Sequence, residues 1–283
     1  MGRESKLPDS ENISSMSEVG KLWSPRKYPE TLYRYMIYLF FLTFIGFSLH
    51  FLKIPITRLL TSFGPFGRIL IQEYSPPDLT YISSIDFLKS VLETFQISVL
   101  ATFLGLSFSV PISWLAAYNV TPNRLVCYPI GRLCIIVARA VDPVIWALLL
   151  VSLLGFGPFS GTLALIILAI GFTGKLFAEE IEAIDPGQVE AIKATGAGKI
   201  QIFFTAVIPQ VKVAWVGISI YTWDAIFRAS TILGFFGAGG MGWYLRRTTQ
   251  TLAYEQTAAI LLSILALVII SEITSIYIRK KIA

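Results

Sequence analysis

Five charged side chains fall inside the long apolar runs of this chain, and they are where chemistry would have to happen. Arg139, Asp142 and Trp146 stand at i, i+3 and i+7. Asp224 and Arg228 are one helical turn apart, with Tyr221 and Thr231 on the same face, and Lys175 is alone in its run. A charge at bilayer depth costs about 2.5–3.5 kcal/mol on insertion scales, so it persists beside a partner or in a wet cavity. One reading is two local ion pairs, Arg139–Asp142 and Asp224–Arg228, that hold helices together. The other is a polar pathway along a bundle axis that also takes in Ser230, where three positive charges against two negative favour an anion. Both readings turn these faces into the bundle and away from lipid.

Nothing in the chain resembles a bond-making constellation. There is a single histidine, His50, near the end of an apolar run, and the two cysteines, Cys127 and Cys134, are seven apart with no metal-ligand spacing. No nucleophile–base pair and no phosphate-cradling Walker sequence is present, so no catalytic residue, cofactor or metal is expected. Gly237 to Gly242 satisfies G-x-G-x-x-G but follows an apolar run and opens no βαβ unit, which excludes a dinucleotide site. It reads as a glycine-rich outer turn, close to a pore mouth or a binding-protein contact, with Trp243, Tyr244, Arg246 and Arg247 as an interfacial anchor.

The elements that must position these residues are membrane helices. Of 283 residues, 54% are hydrophobic and 14% charged, a balance that belongs to the bilayer. The net charge of +5 is scattered between apolar runs and forms no stripe for nucleic acid. Residues 1–30 read as a flexible cytoplasmic tail. Residues 31–84 hold a first span, Tyr33 to Phe51, with no cleavage site behind it, and an outer segment with an interfacial helix between Ile54 and Ile71. Residues 85–283 hold the remaining spans: Phe87 to Tyr118, Leu133 to Leu154, Thr162 to Phe177, Val211 to Phe235 and Leu252 to Ile278. Lys89 and Glu93 are expected to pair at the outer end of the second. With both termini and the 181–212 loop inside, fourteen of the twenty-three Lys and Arg lie inside, six outside and three are embedded, in keeping with the positive-inside rule.

The longest helical stretch between spans is Asp185 to Pro209. Asp185 is a good N-cap, Pro186 suits the first helical position, and Gly196 and Gly198 break the helix before a second one begins near Lys199. Such a helix–Gly–helix element is either a surface for a partner to grip or an ordinary amphipathic loop. Its residues weigh towards the first. Glu190-Ala191, Gly196 six residues after Glu190, and Ile208-Pro209 resemble the EAA loop of ABC-importer permeases, which docks into a cleft on the ATPase subunit. Ile192 stands where the family has a second Ala, Ala206 where it has a bulky apolar residue and Ile208 where it has Leu.

Further segments, Arg139 to Leu150, Gly155 to Gly161, Gly174 to Asp185 and Arg228 to Gly242, resemble the permease subunit of phosphonate- and phosphite-type ABC importers. Ala140-Val141-Asp142-Pro143 departs from the family's Ala-Ile-Pro-Glu. The resemblance implies an all-α membrane protein with six transmembrane helices, the type I importer permease (MetI-like) fold, multi-pass in the inner (plasma) membrane with both termini cytoplasmic. It implies a homodimer, two ATPase subunits on the cytoplasmic face, and a periplasmic or lipid-anchored binding protein. ATPase coupling falls to Asp185, Glu190, Ala191, Gly196, Ala197, Gly198 and Pro209. The implied cargo is phosphonate, phosphite or a related oxyanion. The alternatives are an amino-acid or methionine importer, or a secondary transporter needing no ATPase, which predicts inverted repeats and broken helices.

Overall fold

Prolines and glycines decide where the helices of this chain begin, bend and end. The computed structural model describes residues 28–53, 55 and 61–282. Most of the expected tail, residues 1–27, and part of the expected interfacial segment, residues 54 and 56–60, lie outside the described residues. The chain divides into two compact units, residues 1–67 and 68–283.

In the first unit, α1 spans Tyr28–Phe51, and its Tyr35, Phe40, Phe44, Phe47 and Phe51 side chains are exposed. Helix α2, Phe63–Gln72, leads into the second unit. There Asp78 caps the short helix α3, Leu79–Ile82, accepting from the Thr80 and Tyr81 amides at 3.0 and 3.2 Å and from the Thr80 hydroxyl. The Thr80 hydroxyl bond, with the two amides, holds the Asp78 carboxyl below its ordinary value.

Helix α4, Ile85–Ala116, begins at the Ser84 cap and carries 32 residues, about 48 Å at 1.5 Å per residue. That exceeds the ~30 Å hydrocarbon core. Lys89 pairs with Asp86 at 3.8 Å and not with Glu93; both partners are well exposed, and Glu93 turns to a pocket described below. Buried Thr94, Thr102 and Ser109 donate to carbonyls four residues back in their own helix, so they cost little at this depth.

The expected third span, Leu133 to Leu154, is not one helix. It is α5, Cys127–Ala140, and α6, Pro143–Leu154, bent by 86°. Pro143 disfavours helical geometry at Asp142, which is extended (φ −60°, ψ 142°) and caps α6 by accepting from Val144 N–H at 2.8 Å. Arg139, Asp142 and Trp146 therefore do not share a helical face. The bent pair still crosses. Arg132 in α5 meets Glu182 at the end of the straight helix α7, Pro158–Glu182, while Gly157 beyond α6 bonds Gly237 beside the start of α7. Its two arms run the full length of α7, with the bend near Gly171, the middle of that helix. Among the described residues five helices are long and apolar enough to cross a membrane unbroken, and the bent pair counted as one span makes six.

After α7 come the short helices α8, Pro186–Ala194, and α9, Lys199–Ile202. The expected fifth span, Val211 to Phe235, is longer than expected. From α9 the chain passes without a break through a π-helical turn, Phe203–Val207, into α10, Ile208–Leu233, and the turn that follows, Gly234–Ala238, kinks at Gly237 with φ +100°. Helix α11, Met241–Gln250, and the last crossing, α12, Tyr254–Ile282, complete the chain.

The core sits on α7. One cluster joins Ile97 and Ala101 of α4, Ala147 of α6, Ala164, Leu165 and Ala169 of α7, and Ile226 and Leu233 of α10. A second, at the elbow end, joins Phe177, Ile181, Phe203, Val207 and Trp215, with Phe177 and Trp215 stacked at 4.3 Å. Small residues set the α4–α7 approach, as expected where lipid tails remove any hydrophobic preference for helix contact. A Cβ on Gly105 would stand 2.2 Å from Ala169 Cβ. Gly105→Val should therefore force the two helices apart and cost about 1–3 kcal/mol, read as a lower unfolding temperature in detergent micelles; an unchanged transition would mean that this seam does not hold the bundle.

Candidate functional site

The Asp185–Pro209 element is an exposed elbow closed at its base. Asp185 caps α8 by accepting from Gly187 N–H at 2.9 Å, and no residue of α8 is buried. Glu190 and Ala191 are exposed, and Ala197 is half-buried in the open groove between the two helices. Gly196 stands at φ +81° with open space around its Cα, a conformation other residues reach only with strain. Gly198 precedes α9, and its N–H donates to Gln201 Oε1 at 2.9 Å.

Gln210, which the sequence reading passed over, closes the loop. Its side-chain oxygen accepts from Asp185 N–H at 3.0 Å and its side-chain nitrogen donates to Ala206 C=O at 2.9 Å. One amide thus ties the first residue of the elbow to the turn that precedes Pro209. Pro209 has no N–H for the helix ladder, and the turn before it widens so that Ile208 N–H reaches Phe203 C=O. The signal was weak: a polar residue right after the motif proline, at the start of an apolar run.

The end of α7, where the elbow begins, and the elbow itself are also fastened to their neighbours. Glu182 accepts from Arg132 at 2.7 Å and from Tyr118 N–H at 2.9 Å, Asn119 donates to Ile181 C=O at 2.7 Å, and Lys199 donates to Pro122 C=O at 2.5 Å. Displacing the elbow therefore pulls on α5, α7 and the α4–α5 loop together. Gln210→Met should remove both closing bonds, each worth about 1 kcal/mol, and raise amide exchange across residues 183–189 about fivefold or more with the spans unaffected. Equal exchange would show that Gln210 does not stiffen the elbow.

The embedded charges do not form one line. Asp224 is buried, paired with Arg228 at 2.9 Å, and accepts from Ser271 of α12 at 2.9 Å; Arg228 also reaches Glu272 at 3.5 Å. This pair joins α10 to α12, as one of the two readings expected. The other expected pair, Arg139–Asp142, is absent among the described residues. Arg139 lies at the C-terminal turn of α5 with its Cγ against Gly171, and Asp142 caps α6. Each charge sits at the helix end whose dipole favours it, so the break supplies what the ion pair was expected to supply.

Lys175 pairs with Glu179 at 3.4 Å, half-exposed. Trp146 packs on the core, its indole N–H buried without an acceptor among the described residues. Ser230 donates to Phe227 C=O of its own helix at 2.7 Å. On α7, Gly171 faces Arg139 while Thr173, about 200° round the helix, meets Thr222 at 3.0 Å. Helix α7 thus stands between Arg139 and the Asp224 cluster. Arg228→Ala should destabilise the protein more than Asp224→Ala, by about 3 kcal/mol, because it leaves a buried carboxylate unpaired. The reverse order of unfolding temperatures would mean that the carboxylate is solvated.

Residues 109–282 match the family described as binding-protein-dependent transport system inner membrane component. The chain is 40% identical over 225 residues to the phosphate-import permease protein PhnE of Mycolicibacterium smegmatis, covering 80% of this chain but 41% of that protein. It is 37% identical over 216 residues to the phosphite transport system permease protein PtxC of Stutzerimonas stutzeri, covering 76% and 78% of the two. In fold it is similar to a chain of the inward-facing MetNI methionine ABC transporter, with a TM-score of 0.60 at 18% identity over 70% of this chain and 96% of that one. A chain of a bacterial alginate ABC transporter gives 0.60 at 17% identity over 91% and 99%. The elbow, the six crossings and these matches agree that the chain belongs to the binding-protein-dependent transport system inner membrane components, as an all-helical, non-catalytic transport permease subunit of the ABC importer type with the MetI-like fold.

Proposed function

We propose that this chain forms the membrane path of an ATP-driven importer for phosphonate, phosphite or a related phosphorus oxyanion. The observation that carries the mechanism is the closed elbow, which continues without a break into α10. A lever of that kind transmits a push from outside the membrane to the spans, as rigid-body switching requires. Two copies of the chain would pair, with two ATPase subunits gripping the elbows through Glu190, Ala191, Gly196, Ala197 and Gly198. A periplasmic or lipid-anchored binding protein would deliver cargo at the opposite end. The elbow and both termini then face the cytoplasm, with residues 1–30 as a cytoplasmic tail, 31–84 as first span and outer segment, and 85–283 as the permease core. The oxyanion specificity rests on the relatives, a phosphate-import permease and a phosphite transport permease.

Within the path, Asp142, Trp146, Lys175, Asp224, Arg228 and Ser230 shape and brace the polar interior, and Arg139 offers a guanidinium free of any carboxylate partner among the described residues. It lies at mid-depth, where α5 ends and α6 begins. In this reading closure of the ATPase dimer draws the elbows together, and Glu182–Arg132 passes the motion to α5 and so to the bend.

Gly196→Trp and Glu190→Lys should abolish ATP-driven uptake of phosphite or methylphosphonate in proteoliposomes while the permease pair still forms on size-exclusion chromatography. Native uptake by the Gly196→Trp variant would remove the docking assignment. Uptake of methionine and not of the phosphorus oxyanions by the native complex would overturn the cargo.

A further inference from the structure

At the end of the bundle away from the elbow lies a pocket of about 290 Å³ whose lining carries a carboxylate and no basic residue. Its walls are Glu93 of α4, the Phe156 ring, and Trp243 and Tyr244 of α11, closed by the glycines at 237, 239 and 240. Glu93 is half-buried, and among the described residues no hydrogen-bond donor or cation pairs with it. The space it occupies exists because position 239 is glycine: a Cβ there would stand 2.6 Å from Glu93 Oε1. The neighbouring Thr94 hydroxyl accepts from Met241 N–H at 2.8 Å, which fixes the first turn of α11 and so Trp243 and Tyr244 against α4.

Phe156 and Trp243 stand 6.5 Å apart, and Trp243 already holds the Arg246 guanidinium 5.9 Å from its ring. The Tyr244 phenol is pushed up by burial, with Asp86, Tyr81 and Glu93 adding to it and the Arg247 cation opposing, so its O–H stays neutral beside the carboxylate. An unpaired carboxylate in a pocket lined with aromatic side chains is the chemistry that recognises an organic cation, through charge on one side and aromatic surface on the other. It repels an oxyanion, so it is not the seat of the cargo's phosphorus group.

We propose that the Glu93–Phe156–Trp243–Tyr244 pocket binds the ammonium or guanidinium head of an organic cation. Two sources fit that chemistry, an amino group carried by the cargo and a lysine or arginine side chain of the cargo-delivering subunit. The choice of source rests on the transporter reading above; the cation site itself does not.

The test uses the full chain assembled with its ATPase subunits in lipid nanodiscs, titrated calorimetrically with methylguanidinium and with tetramethylammonium chloride at fixed ionic strength. Saturable binding of at least one is expected, weakened about tenfold or more by Glu93→Gln and a few-fold by Trp243→Leu. No saturable binding to the native complex, or equal binding by Glu93→Gln, overturns the site. In proteoliposomes, a raised KM for 2-aminoethylphosphonate but not for ethylphosphonate in Glu93→Gln assigns the cargo amine. Equal weakening for both cargoes, with loss of ATPase stimulation by the delivering subunit, assigns the basic side chain. A native profile in both arms overturns the proposal. Failure of the native complex to take up either phosphonate strikes the cargo reading instead.

Discussion

Inside a bilayer every backbone N–H and C=O must find its partner within the protein, and the structure turns on how that demand is met around Pro209. A proline two residues into a span removes a rung of the helix ladder. Here the preceding turn widens, Ile208 N–H bonds five residues back, and the Gln210 side chain takes Ala206 C=O while accepting from Asp185 N–H. Repair of the helix and closure of the elbow are one set of bonds. That is why an exposed helix pair with no buried residue in its first helix is held in a defined orientation to a membrane span.

The same demand has the opposite result at Pro143. There the residue before the proline is an aspartate, which takes an extended conformation and satisfies the new helix start with its own carboxylate. A capped break is stable at mid-depth where an uncapped one would be costly. Bending at one proline and continuity at the other give the bundle a stiff lever and a jointed span, linked by Arg132 and Glu182. A broken helix at this depth was expected of a secondary transporter, yet the family match places the chain among ABC importer permeases. The break reflects local proline chemistry and does not discriminate between the two classes.

What was legible in the sequence was what depends on local pattern. Asp185 and Pro186 announce a helix start, Gly196 its end, and the apolar runs announce where the crossings lie, though not the bend in the third or the early start of the fifth. What was hidden depends on long-range closure. Gln210 bonds a residue 25 positions away, Glu182 bonds Arg132 fifty away, and neither side chain carries a local signature. The Arg139–Asp142 and Lys89–Glu93 pairs failed for a related reason. Spacing of three or four residues predicts contact only if the helix is unbroken and no nearer partner competes, and Pro143 and Asp86 supplied the break and the competitor. Asp224–Arg228 met both conditions, and that pair is present.

The charge balance changes meaning once the pairs are assigned. Counted along the sequence, three embedded cations outweigh two anions. In the structure Lys175 has Glu179, Arg228 has Asp224 and Glu272, and the surplus reduces to Arg139. Arg139 stands in the last turn of α5, while α6 begins three residues on with Asp142 as its cap. A helix end holds a cation more weakly than a carboxylate does, because its field falls off within a turn. Arg139 is therefore stabilised at membrane depth without being neutralised. A fixed cation of that kind lowers the cost of an oxyanion at the same depth, whereas a fully paired one would not.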